Sequence, residues 1–159
     1  TLVEFADFRC AHCQQMAPEI KKAMKEFSEN LRYIFMPFPL QNHPLSVMAA
    51  EAALAANAQG RFWEMQEALF SHTESDLEGP VLLKLAKKIG LEMKRFQKDL
   101  ETGTYREPVL SLKQRGMQLG IEGTPAFFIN GRSFKPDPEL FTFSDRLRLE
   151  LDRDKGKCQ

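Results

Sequence analysis

The opening stretch, TLVEFADFRCAHCQQMAP, constrains this chain more than any other. Leu2, Val3 and Phe5 form a brief β-prone run with Glu4 inside it. A turn follows in which Asp7 is placed to cap a helix, and the residues after Cys10 are helix formers as far as Pro18. The spacing puts Cys10 and Cys13 on the first turn of that helix. Unpaired backbone N–H groups and the positive end of the helix dipole point there. A thiolate at Cys10 is stabilised by that field, which makes it a better nucleophile and leaving group at neutral pH. Cys13, three residues on, is close enough to close a small disulfide ring.

Composition narrows the setting. A chain of 159 residues has the usual size of one domain with a real core. Lys plus Arg and Asp plus Glu are equal at 22 each, so no basic field argues for nucleic acid or an anionic membrane surface. No run approaches the roughly 18 apolar residues of a membrane-spanning helix. Because Thr1 already stands in a strand, the chain is expected to be the ordered part of a longer product, with any signal peptide or anchor ahead of it. The three cysteines, Cys10, Cys13 and Cys158, are one close pair and a leftover, which is not a disulfide framework.

Helical spacing of Met16, Ile20, Ala23 and Phe27 carries the first helix to about residue 30, with Pro18 bending it near its start. Residues 32–36 read as a strand parallel to the first, with the helix as crossover. An Ala-, Met- and Leu-rich helix then covers 45–58, and helical patterns recur over 62–70, 81–89, 94–101 and 108–119. In the second of these, Phe62, Met65, Leu69 and Phe70 face the core, and Trp63 is also read as core. Residues 126–130 read as a strand, Asn130-Gly131 as a hairpin turn, and 132–135 as the return strand. A final amphipathic helix is expected over 138–151, with Leu140, Phe141, Leu147 and Leu151 on its buried face. A charged tail follows, and Cys158 within it has no assigned role.

Several motifs now stand together. C-A-H-C follows VEFADF, Glu4 lies six residues before Cys10, and Pro18 lies five after Cys13. Far downstream, Gly123-Thr124-Pro125 precedes the apolar run Ala126-Phe127-Phe128-Ile129. In these features the chain resembles the DsbA-like thiol:disulfide oxidoreductases of the thioredoxin superfamily, over nearly its whole length. The resemblance implies an α/β, thioredoxin-like fold with a helical insertion, at approximately 45–119, in a single domain spanning 1–159. The insertion is expected to cap one side of the cysteine site. It implies an enzyme that introduces disulfides into reduced protein or peptide substrates through a redox-active Cys10–Cys13 pair. A membrane quinone-linked partner would reoxidise the pair in a periplasmic or otherwise extracytoplasmic setting. No organic cofactor or metal is called for.

Each site residue has a plainer reading beside the functional one. Cys10 and Cys13 are a redox pair or half of a zinc site, which would need two more ligands from His12, His43 or His72. A metal-binding chaperone holding an ion on Cys10, His12 and Cys13 is the corresponding alternative. His12 is either an exposed turn residue or a stabiliser of the Cys10 thiolate. Glu4 either faces the core, with a raised pKa, and exchanges protons with Cys13, or points to solvent by strand alternation. Thr124-Pro125 is an ordinary turn, or the substrate-binding cis-proline loop that the resemblance implies, set against Cys10. Ala11 departs from the proline common in DsbA-like sequences. Thr before the cis-proline also occurs in DsbC- and DsbG-like isomerases and reductases, which makes isomerase or reductase activity the other alternative. His43, ahead of Pro44, reads as structural.

Overall fold

The computed structural model describes residues 1–43, 45–72, 77–136 and 142–156. Strand β1 (Leu2–Ala6) leads into helix α1 (Ala11–Glu26) and strand β2 (Tyr33–Pro37). Five helices follow: α2 (Ser46–Asn57), α3 (Phe62–Ser71), α4 (Gly79–Lys88), α5 (Met93–Glu101) and α6 (Arg106–Gln118). Strands β3 (Ala126–Ile129) and β4 (Arg132–Phe134) come next, then helix α7 (Phe143–Gly156). The sheet order is β2-β1-β3-β4. The β1–β2 pair is parallel, with α1 as the crossover, while β1–β3 and β3–β4 are antiparallel. At the β3–β4 turn, Asn130 and Gly131 take φ of 49° and 77°, the left-handed pair that a two-residue hairpin needs.

β1 is an inner strand, buried on both faces, so it has no solvent side. Leu2, Glu4 and Ala6 point one way, while Val3 and Phe5 point the other. On the first face, Leu2 joins Ile20, Phe27, Phe127, Phe134, Phe143 and Leu147 in a cluster built from α1, α7, β3 and β4. Ala6 joins a second cluster with Cys10, Cys13, Phe35 and the inner side chains of the helical insertion. On the opposite face, Phe5, Phe38 and Ile121 form a third cluster. There α6 lies so close that a Cβ on Gly116 would meet the Phe38 ring at 2.7 Å.

The insertion is organised by α2. Six alanines of this helix are buried, so it is apolar all round and sits inside the helical layer. Its short side chains let the neighbouring helices approach. Glu51, buried on α2, is met by Arg106 Nη1 at 3.4 Å.

Several element boundaries differ from the sequence reading. Asp7 does not cap α1: the N-cap is Cys10, with no side-chain cap bond, and the Asp7 carboxylate is used elsewhere. α1 ends at Glu26 because the Phe27 φ of −112° and a run of turn bonds through Leu31 reverse the chain. Trp63 is 44% exposed and not core, because it stands on the outer side of α3 against Tyr33. Expectations that fall on Pro44, Pro138, Leu140, Phe141 and Cys158 lie outside the described residues. α7 begins at Phe143, where Thr142 and Asp145 cap each other: Thr142 N and Oγ1 donate to Asp145 Oδ2, and Asp145 N donates back to Thr142 Oγ1.

Candidate active site

The site forms where β1 ends and α1 begins. Asp7 fixes this turn. Its Oδ1 accepts from Arg9 N at 2.7 Å and Ser46 Oγ at 2.6 Å, and its Oδ2 from Leu40 N at 2.7 Å. His43 Nδ1 lies 3.0 Å from the same Oδ2, so His43 is structural. One buried carboxylate thus ties the cysteine turn to the loop after β2 and to the start of α2. The Asp7 carbonyl also accepts from Cys10 N at 3.0 Å, which sets Cys10 as the cap residue of α1.

The two sulfurs differ sharply in proton affinity. The Cys10 thiol is held down to about 5, chiefly by a hydrogen bond from the Cys13 thiol. Burial opposes this, while the Thr124 side chain and the backbone N–H groups of Cys13 and His12 add to it. Cys13, fully buried, is pushed the other way, first because it donates to Cys10 and second by burial. The cap position therefore favours a thiolate at Cys10, and the proton is held on the Cys13 thiol further along the helix. His12 acts on Cys10 through its backbone N–H, and its exposed side chain lines a cleft beside Pro125.

Thr124 and Pro125, more than a hundred residues away, complete the site. The Thr124–Pro125 peptide is cis, and Cys10 Sγ lies 3.4 Å from the Thr124 carbonyl oxygen, within reach to donate when the thiol is protonated. The Thr124 hydroxyl is buried without a hydrogen-bond partner of good geometry, yet it weighs on both sulfurs. From Pro125 a cleft of about 470 Å³ runs along His12, Met16, Phe127 and Lys135.

Glu4 lies behind the cysteines, 1% exposed, facing the core and paired in register with Phe35 and Phe127. Burial pushes its carboxyl up to about 7, against a hydrogen bond from the Tyr33 hydroxyl and with a further rise from charge on Cys10. Its Oε1 is buried with no hydrogen-bond partner. Burial and the Glu4 charge push Tyr33 upward in turn. Asp7 and Tyr33 were missed as site residues from sequence. A hydroxyl in the apolar strand beside the one bearing Glu4 was the available sign of the second.

Among the described residues, no three His, Cys, Asp or Glu side chains converge where a metal ion would sit. No helix among them is long and apolar enough to cross a membrane.

Comparison with known proteins places this geometry. A family model described as Thioredoxin matches residues 1–145. The chain is 36% identical over 133 residues to Na(+)/H(+) antiporter NhaA 3 of Salinispora tropica, covering 83% of this chain and 20% of that protein. It is 33% identical over 135 residues to NhaA 1 of Mycolicibacterium gilvum, covering 83% and 22%. The chain thus spans about a fifth of the length of these relatives. A thioredoxin-like oxidoreductase from Silicibacter pomeroyi superposes with a TM-score of 0.79 at 25% identity, covering 98% of this chain and 86% of that one. BdbD from Bacillus subtilis superposes at 0.77 and 21% identity, covering 96% and 85%. The thiol-disulfide exchange protein alpha-DsbA2 from Wolbachia pipientis gives 0.77 and 23%, covering 96% and 80%. The chain belongs to the thioredoxin family, in the DsbA-like form of its fold.

Proposed function

We propose that the chain is a thiol:disulfide oxidoreductase that works as a dithiol oxidase on protein or peptide substrates. The observation that carries this reading is the opposed proton affinity of Cys10 and Cys13 at the start of α1. In the oxidised enzyme a substrate thiolate attacks Cys10 Sγ, the Cys10–Cys13 bond breaks, and Cys13 leaves with the bonding pair. Glu4, placed to hold a proton near pH 7, supplies the proton that Cys13 takes up. A second substrate thiolate then attacks the substrate sulfur of the mixed disulfide. Cys10 departs as a thiolate, and the substrate has lost two electrons to the enzyme.

Thr124 and Pro125 dock the substrate in this reading. Pro125 has no N–H, and the Thr124 backbone is left to pair with an extended peptide lying in the adjoining cleft. The single domain over 1–159 with its helical insertion, the extracytoplasmic setting and a membrane quinone-linked reoxidant belong to the same proposal. They rest on the DsbA-like resemblance. No metal or organic cofactor enters any step.

The test is oxidative folding of a reduced protein with Cys10→Ser and Cys13→Ala variants. Cys10→Ser should lose all turnover, and Cys13→Ala should accumulate mixed disulfides at Cys10. Changing Pro125 to Thr in the Cys13→Ala background should alter the set or lifetime of trapped substrates. Reduced protein that melts above the oxidised form at pH 7 marks an oxidase, because the stabilised Cys10 thiolate exists only when the pair is reduced. The reverse order would instead mark the reductase or isomerase activity that Thr124 also allows.

A further inference from the structure

Glu4 has no route of its own to water, being 1% exposed, and its Oε1 is without a partner. Its other oxygen, Oε2, accepts from the Tyr33 hydroxyl on β2. Tyr33 is not sealed in. It lines a cleft of about 400 Å³ between α1 and α3, with Ile20, Met24, Trp63 and Phe70. The Trp63 ring stacks on Tyr33, with centroids 5.3 Å apart and planes at 28°, and so fixes the phenol in place. This cleft is separate from the one beside Pro125: the two share no lining residue.

We propose that Tyr33 positions Glu4 and connects it to solvent, so that protons reach the buried Cys13 from the α1–α3 cleft by way of Tyr33 and then Glu4. This rests on the exchange reaction proposed above. When Cys13 leaves as a thiolate, Glu4 gives up a proton and becomes a carboxylate. Tyr33 donates its hydroxyl proton to Glu4 Oε2 and accepts one from a water in the cleft, which leaves the phenol and Glu4 both neutral and a hydroxide in the solvent. In the reverse direction each proton moves back along the same bonds. A phenol is suited to this because it can donate and accept at one oxygen.

The groups around Glu4 leave little else to do the work. Tyr33 comes from β2 and Cys10 from the start of α1, the strand neighbours are Phe35 and Phe127, and Cys13 bears on the Tyr33 hydroxyl. On the cleft rim Lys21 and Glu67 are exposed and paired with each other at 2.7 Å.

The experiment compares wild type, Tyr33→Phe, Glu4→Gln and the double variant. Phenylalanine keeps the ring on Trp63 and removes only the hydroxyl. The Glu4 carboxyl is titrated by ¹³C NMR in reduced protein, and the rate of disulfide cleavage by a small dithiol is followed against pH. A hydrogen bond to the carboxylate favours its charged form, so Tyr33→Phe should raise the Glu4 midpoint by about one pH unit, a tenfold change in proton affinity. The break in the rate profile should move with that midpoint, and the plateau rate should fall. In the Glu4→Gln background the break should be gone, and Tyr33→Phe should have no further effect. An unmoved midpoint overturns the positioning role, and a moved midpoint with an unchanged plateau overturns the route. A role in packing alone would lower the melting temperature and leave the profile in place. Wild type that cleaves no disulfide with any dithiol would sink the proposed function instead, while the NMR titration still decides whether Tyr33 governs Glu4.

Discussion

Two clusters share one face of the sheet and are built from different material. The cluster over β3 and β4 is aromatic: Phe127 and Phe134 both set their rings edge-on to Phe143, with centroids 4.8 and 5.4 Å apart. The cluster under the helical insertion mixes a few rings with the alanines of α2, and it alone holds the two sulfurs. Large rings fill space and hold β3 and β4 against α1 and α7. Small side chains let several helices close over the thiols and keep Cys13 dry. Glu4 lies at the seam, between Leu2 of the first cluster and Ala6 of the second. The aromatic packing and the sulfurs thus occupy different parts of one face and meet at Glu4.

The sharpest way to break that comparison is to cut one ring from each half. Phe8, in the sulfur-bearing half, stacks on Phe35 and leans on Phe70, and Phe143 anchors the other half. Either ring replaced by Ala should cost about 3–5 kcal/mol in chemical denaturation. Only Phe8→Ala should also raise the midpoint of Cys10 alkylation above its value of about 5, because the turn that brings Cys13 onto Cys10 loses its support. An equal shift in Phe143→Ala would mean that the two halves are not separable.

The seam itself gives the next effect. Glu4 has a folded value of about 7 against 4.5 for an ordinary carboxyl. The folded state therefore binds this proton more tightly than the unfolded chain does. Its contribution is fully present below pH 4.5 and is lost as pH rises through 7. Glu4→Gln, neutral at every pH, should match wild type at pH 4 and exceed it by roughly 3 kcal/mol at pH 8, measured on reduced protein. Equal stabilities at pH 8 would show that Glu4 is ionised there at no cost.

On the opposite face, Gly116→Ala forces a methyl against the Phe38 ring at 2.7 Å and Phe5 at 3.1 Å. Overpacking of this kind costs about 1–3 kcal/mol, offset by up to about 1 kcal/mol from better helix propensity. The Cys10 alkylation midpoint should stay where it is. A shift there would mean that strain crosses the sheet to the sulfurs.

The elements that sequence revealed are those with strong local signals. C-x-x-C after a strand, the hairpin at Asn130-Gly131 and the spacing of Ile20, Ala23 and Phe27 each fix local structure by themselves. Glu4 was open between core and solvent because alternation is ambiguous until one knows that both faces of β1 are covered. An Asp near a helix start usually caps it, but at Asp7 tertiary partners at Leu40, His43 and Ser46 compete for the carboxylate oxygens. The start of α7 was legible and overlooked: Thr142-Phe143-Ser144-Asp145 has the spacing of a capping box. Tyr33 could not be tied to Glu4 without the register of β1 on β2, since pairing across a sheet is long-range information.

The smallest effect belongs to the surface junction that closes the aromatic half. Ser144 Oγ donates to Glu26 Oε2 at 2.7 Å, and Arg148 Nη2 donates to Glu26 Oε1, linking α7 to the end of α1. Arg148 is more than half exposed, so its attraction to Glu26 acts through water and is screened by salt. The docking of α7 instead rests on Phe143 and Leu147, which are buried against the sheet and α1. Arg148→Gln should therefore lower the melting temperature by less than Gly116→Ala does, and the difference from wild type should vanish in about 1 M salt, where the screening length falls to about 3 Å. Its Cys10 alkylation profile should overlay that of wild type. A drop as large as that of Phe143→Ala, persisting in high salt, would place the hold on α7 in the ion pair and not in the rings.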